Sequence, residues 1–318
     1  MLADPAKRVA SVAVPKTGIP GILWNSGVIS LHYLFLMRRL LTIGLLSVSL
    51  LGCSGVFFQP YRGHVQTPQR LDLAYEDVHF QAGDGTLLHG WFLPAQGEAL
   101  GTILFLHGNA ENISTHIMSV LWMPAKRFNV FLLDYRGYGV SEGKPTFAGA
   151  QDDVESALKM LVSRPDVDAS RIVVFGQSLG GAIALYRVAH TAYRANIRAV
   201  VVESAFSDYR RIAREKLADF WLTWPLQWPL SWTISDKYNP SEAVARISPI
   251  PLLIIHGDQD PIVPAHHGQR LFELAGEPKQ LWMVHGGGHI QAFQSQRYRD
   301  RFVAYLTEIL SAPRTDYK

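Results

Sequence analysis

Six short apolar runs, most of them ending in a residue able to do chemistry, constrain this chain more than any other feature. Thr102–Leu106 runs into His107-Gly108, Val130–Leu133 into Asp134, Ile172–Phe175 into Gly176, Ala199–Val202 into Glu203, Leu252–Ile255 into His256-Gly257, and Gln280–Val284 into His285. None alternates polar with apolar, so each predicts a strand buried on both faces, as in a parallel sheet. Helix-like stretches separate them at about 113–126, 147–163, 179–191, 208–222, 265–275 and 291–311. In 147–163, Val154, Leu158, Leu161 and Val162 recur at helical spacing, with Asp152, Asp153, Glu155 and Lys159 on the other face. Ahead of them, 73–81 and 86–93 read as a hairpin across Gly83-Asp84-Gly85. Strand–helix alternation of this kind predicts an α/β fold, a mostly parallel central sheet covered by helices on both faces.

The charge is unevenly placed. Residues 1–52 carry five basic residues (Lys7, Arg8, Lys16, Arg38, Arg39) against Asp4, a net +4, whereas the whole chain carries +3. The remainder is near neutral, so no basic surface for nucleic acid is expected. With Cys53 as the sole cysteine, an intrachain disulfide is excluded. Met37-Arg38-Arg39, the apolar run Leu40–Gly52 and then Cys53 have the layout of a signal peptide. Leu50-Leu51-Gly52-Cys53 resembles a bacterial lipobox, which implies lipid on Cys53 and a place in the bacterial cell envelope. The run is short for a membrane span, which needs ~20 apolar residues. A buried free cysteine, an uncleaved anchor and a cytoplasmic protein are the alternatives. Residues 1–36 fit upstream sequence ahead of a start at Met37.

Acyl transfer through serine needs an exposed hydroxyl, a base, an acid to orient the base, and donors for the oxyanion. Gly176-Gln177-Ser178-Leu179-Gly180 lies between a strand and a helix, where a serine on a sharp turn needs glycines two residues to either side. His107-Gly108-Asn109-Ala110 follows an earlier strand. The amide of Asn109, or of Ala110, is a candidate oxyanion donor together with that of Leu179. Asp260, ahead of Asp258, is the candidate acid, and His289, behind Gly286-Gly287-Gly288, the candidate base. His285 and His256 read as structural. Ser178, Asp260, His289 is the chain order this architecture uses. Arg136-Gly137-Tyr138-Gly139 reads as a loop bordering the site rather than a phosphate cradle. The histidines are scattered and HExxH is absent, so neither metal nor cofactor is expected. From Phe220 to Trp232 the chain reads FWLTWPLQWPLSW, with four of its eight tryptophans. Trp221, Trp224 and Trp228 are candidates for a lid or pocket wall; core packing and bilayer contact are the other readings.

HGNAEN (107–112), DYRGYGVSEGKP (134–145), GQSLGG (176–181), HGDQDPIVP (256–264) and GGGH (286–289) together resemble the α/β-hydrolase superfamily from about residue 73 to 311. Within it, the chain is most similar to bacterial serine aminopeptidase-like hydrolases. That resemblance implies a leader (1–52), a tether (53–70) and an α/β-hydrolase domain (71–313) with a lid insertion around 207–240. The expected activity is hydrolysis of a carboxylic ester through an acyl-enzyme. A peptidase acting on short peptides is the second expectation, and a non-catalytic envelope lipoprotein the third. Relatives of this kind often have glycine where this chain has Glu111, whose carboxylate would disfavour anionic substrates.

Overall fold

In the computed structural model, Gly55 and residues 57–313 are described. The leader and Cys53 lie outside these residues. Strands β1 (Gln59–Pro60), β2 (Glu76–Gln81), β3 (Leu87–Leu93), β4 (Gly101–Leu106), β5 (Ala110–Glu111), β6 (Phe128–Asp134), β7 (Ile172–Gln177), β8 (Ile197–Glu203), β9 (Leu252–Gly257) and β10 (Lys279–Val284) alternate with helices. Eight of them form one sheet in the order β10-β9-β8-β7-β4-β6-β3-β2. The β2–β3 and β3–β6 pairs are antiparallel and the rest parallel. Gly85 turns the β2–β3 hairpin at φ 85°, a conformation glycine adopts without steric cost.

The unalternating runs are explained by two cores, one on each face. Leu104, Leu106, Val174, Val200, Val202 and Ile254 face one core, and Ile103, Phe105, Val173, Phe175, Val201 and Ile255 the other. Burying such a side chain contributes about 1.5–3 kcal/mol, so a charge on either face of a central strand would be costly. Against the first face pack Val154, Leu158 and Leu161 of α2 (Phe147–Ser163), the helix α3 (Leu179–His190), Ile212 of α4 (Tyr209–Ala218) and Leu271 of α7 (His266–Leu274). Phe302, Leu306 and Leu310 of α8 (Gln296–Ser311) cover the second. Thr146 starts α2 cleanly, its hydroxyl accepting the Gly149 amide at 2.9 Å.

Three stretches differ from their sequence-based expectation. The helix predicted over 113–126 is one turn, α1 (Ile113–His116), followed by 3-10 turns. Asn112 caps that turn, its side chain taking the Ser114 amide, and beyond it the Val120 and Met123 amides bond to carbonyls three residues back, ahead of Pro124, which has no amide to extend a helix. The last helix begins at Gln296 rather than 291, because Ala292–Gln294 form a 3-10 turn and Ser295 is extended at φ −88°, ψ 125°. The expected tether is packed from residue 57 onward: Phe57 and Phe58 are buried, Phe57 lies 5.0 Å edge-on to Tyr209, and β1 pairs with β5.

Between β8 and β9 the Trp-rich stretch folds as α4, a 3-10 turn (Trp224–Leu226) and α5 (Gln227–Trp232), before α6 (Pro240–Ala243). No helix among the described residues is long and apolar enough to cross a membrane.

Candidate active site

The carboxyl ends of the parallel strands bring the predicted residues to one edge. Ser178 ends the strand β7 segment and begins α3 at φ 52°, ψ −116°, a backbone geometry rare outside glycine. Its neighbours show why the turn is built from glycine. A Cβ on Gly176 would meet the Gly180 carbonyl at 2.3 Å, and one on Gly180 would meet the Leu106 carbonyl at 2.1 Å. The strand, the turn and the helix are therefore packed backbone to backbone. Leu179 is the first residue of α3, where amides have no intrahelical partner and the helix dipole favours an anion.

Asp260 and His289 come from the loops after β9 and β10. The Nδ1–H of His289 donates to Asp260 Oδ2 at 2.8 Å, which leaves its Nε2 as the proton acceptor. Asp260 Oδ1 takes the amides of Ile262 and Val263, both at 2.9 Å. Burial opposes ionisation of Asp260, but the His289 bond and these amides outweigh it and hold the carboxyl below its usual range. Asp258 is engaged elsewhere, with His285 and the Gly286 amide. His256 is buried and donates through Nε2 to the Val263 carbonyl, and burial lowers its pKa.

Two residues that sequence reasoning did not select tie the site together. Glu203, closing β8, is buried; it accepts from Gln177 Nε2 at 2.7 Å and from the Ala292 amide at 2.9 Å. The Ser178 amide donates to the Glu203 carbonyl, and the Ile290 amide to Ser204 Oγ. The segments carrying the hydroxyl and the imidazole are thus pinned to two consecutive residues. The signal was present in the sequence as an acid directly closing the apolar run AVVV.

The loop after β4 lies against the nucleophile turn, with a Cβ on Gly108 falling 3.6 Å from Ser178 Cβ. Asn109 is fixed on both sides: its carbonyl takes the Tyr138 hydroxyl at 2.7 Å and its Oδ1 the Gln59 amide at 2.9 Å. Ala110 is in β5, opposite Gln59. Glu111 is exposed at φ 69°, the left-handed region that suits glycine. Arg136 is spent on Asp153 and Asp84, at 2.7 Å each, which agrees with a bordering loop. Trp221, Trp224 and Trp228 are 78%, 60% and 52% exposed, so they stand on the surface instead of lining a closed pocket. Trp221 touches Phe220, and the Arg214 guanidinium lies 4.4 Å over Trp228.

Residues 97–244 match the family model described as serine aminopeptidase, S33. The chain is 40% identical over 243 residues to the uncharacterized protein YfhR of Escherichia coli (strain K12), covering 74% of this chain and 82% of that one. It is 38% identical to the α/β hydrolase domain-containing protein WAV2 of Arabidopsis thaliana, over 66% of this chain and 69% of that one. The chain belongs to the α/β-hydrolase superfamily. Among solved structures, an esterase of Pyrococcus furiosus shares the fold with a TM-score of 0.64 at 24% identity, over 80% of this chain and 97% of that one. Puromycin hydrolase shares it at 0.58 and 18% identity, over 75% of this chain and 39% of that one. The matched family and the superfamily make this α/β-hydrolase a hydrolase.

Proposed function

We propose that this α/β-hydrolase cleaves carboxylic esters through Ser178, His289 and Asp260. Ser178 Oγ attacks the carbonyl as His289 Nε2 takes its proton; the alkoxide leaves with that proton, and water then hydrolyses the acyl-enzyme by the same route. Asp260 holds the imidazole in the tautomer that keeps Nε2 bare and offsets its charge when protonated. The amides of Asn109 and Leu179 receive the oxyanion. The observation that carries the proposal is the 2.8 Å Asp260–His289 bond, made through the ring nitrogen that an acid partner must engage.

The Trp-rich face supports an apolar acyl group, with Trp221, Trp224 and Trp228 acting as an open lid. Lys216 links the lid's first helix to the acid loop, its Nζ donating to the Pro261 carbonyl at 3.0 Å. Lipid on Cys53, four residues before Phe57, would hold the enzyme at a bacterial membrane. A peptidase is the second reading, favoured by the serine aminopeptidase description of the matched family.

Parallel assays with p-nitrophenyl acyl esters and aminoacyl-nitroanilides separate the two. Ester turnover with Ser178-dependent labelling by a fluorophosphonate is expected. Cleavage of anilides alone makes the protein a peptidase, and labelling that survives Ser178→Ala removes the serine mechanism altogether.

A further inference from the structure

Histidines far apart in sequence converge on Asp134, which closes β6 and is fully buried. The Ile113 amide donates to its Oδ1 at 3.0 Å. His64 Nε2 lies 3.3 Å and His89 Nδ1 3.8 Å from Oδ2, and His107 Nε2 lies 3.7 Å from Oδ1. The His64 contact is a long hydrogen bond, and the His89 and His107 separations exceed a good N–H···O bond of about 2.7–3.2 Å. They approach the spacing of donors around one tetrahedral ion, where bonds of about 2.0–2.2 Å put neighbouring donors roughly 3.3 Å apart.

The unpaired ring nitrogens point the same way. His89 Nε2–H points to Asp77 Oδ1 at 2.9 Å, and the same oxygen takes the Trp91 indole N–H at 2.8 Å. His89 Nδ1 faces Asp134, and that buried atom has no hydrogen-bond partner. His107 repeats the pattern: Nδ1–H donates to the Gly108 carbonyl, leaving a buried, unpartnered Nε2. Unpaired imidazole nitrogens beside a buried carboxylate leave a place for a positive charge among them. A carboxylate behind a histidine is also the usual support of a metal-binding imidazole. Gly139 keeps the space clear, since a Cβ there would fall 1.9 Å from Asp134 Oδ2 and 2.9 Å from His64 Nε2.

We propose that His64 Nε2, His89 Nδ1 and Asp134 Oδ2, all within 4.8 Å of one another, hold a zinc-class divalent cation. Two imidazoles and a carboxylate are the donor set that such an ion takes. The ion clasps the amino-terminal segment (His64) and the hairpin (His89) to the end of β6. Through the Ile113 amide, β6 in turn steadies the helix that follows Asn109. Its role is structural and independent of the esterase proposal. The spacing of these residues in sequence hides the site, because a strand pairing and a distant loop bring them together.

A second cluster, Glu215, His266 and His267, does not share this property. There the Ser207 amide donates to His267 Nδ1 at 3.1 Å, so the ring proton is on Nε2 and donates to Glu215 at 2.9 Å. That nitrogen has no lone pair for a metal.

The test uses the purified full chain, stripped with a chelator, titrated with zinc chloride, desalted and assayed for metal by mass spectrometry, with thermal melting alongside. A single tightly held zinc per chain and a raised Tm are expected. His64→Gln, on a partly exposed segment, should lose the zinc while keeping the apo protein's melting curve. Asp77→Asn should weaken zinc affinity about 10–100-fold by removing the supporting carboxylate. Wild-type chain that retains only substoichiometric zinc overturns the site, leaving a proton on His89 as the counter-charge. So does zinc retained equally by His64→Gln and His89→Gln.

Discussion

Glu203 shows how a single buried carboxyl trades stability for geometry. Burial raises its pKa, and the bonds from Gln177 and Ala292 do not fully offset that. A carboxyl whose folded pKa lies above its unfolded value is favoured at low pH and costs stability as pH rises through the folded value. Glu203→Gln keeps an acceptor for Ala292, and the unpartnered Gln177 Oε1 can turn to receive the new amide. Relative to wild type, its Tm should therefore improve between about pH 5 and about pH 8; melting curves at the two values check the sign. Asp260→Asn carries the opposite expectation for activity. With its Oδ1 kept by the Ile262 and Val263 amides, the asparagine would turn its NH2 on His289 Nδ1 and move the ring proton to Nε2, so kcat should fall on the order of 10⁴-fold with the fold intact. Steady-state kinetics beside a circular dichroism spectrum would settle it. At this scale the sequence was legible where chain order pairs Asp260 with His289, 29 residues apart and bonded at 2.8 Å. It was least legible at Glu203 and His64, whose meaning depends on partners 26 and 70 residues away.

Among elements, the nucleophile turn and the loop after β4 are the two that backbone contact controls. Gly180→Ala would push a methyl into the Leu106 carbonyl, 2.1 Å away, with no flexible side chain to yield. We expect loss of ester turnover and a lower Tm, measured on the same sample. Glu111→Gly works the other way. Relief of a left-handed non-glycine residue is worth on the order of 1 kcal/mol, so the variant should unfold at higher urea with its turnover little changed. Strands were readable because burial on both faces leaves an unbroken apolar run. The stretch 113–126 was misread as one helix because an apolar count does not register the tightening to 3-10 turns after His116 or the missing amide of Pro124.

For the molecule as a whole, the unusual surface is the stretch Phe220–Trp232, where Phe220, Leu222, Leu226 and the four tryptophans are each about half or more exposed. An apolar patch of this kind on a folded domain marks an interaction site, and tryptophan is the residue that suits a membrane interface. Replacing Trp221 and Trp224 by serine should leave the Tm close to wild type, because neither is buried. It should shift the preference among acyl lengths toward short esters, which a chain-length series with p-nitrophenyl substrates would reveal. An unchanged series removes the lid from substrate selection. The mostly parallel sheet follows from the alternation in the sequence, whereas its strand order does not. The packing of residues 57–70 does not, because a short polar stretch carries no period from which a docking partner can be read.

That packing has a mechanical consequence. Gln59 holds the side chain of Asn109, and Phe57 is wedged beside Tyr209, so residues 57–59 form a strap between the loop after β4 and the helix α4. Any traction applied at Phe57, whether from a fused partner or a solid support, would be delivered first to that loop.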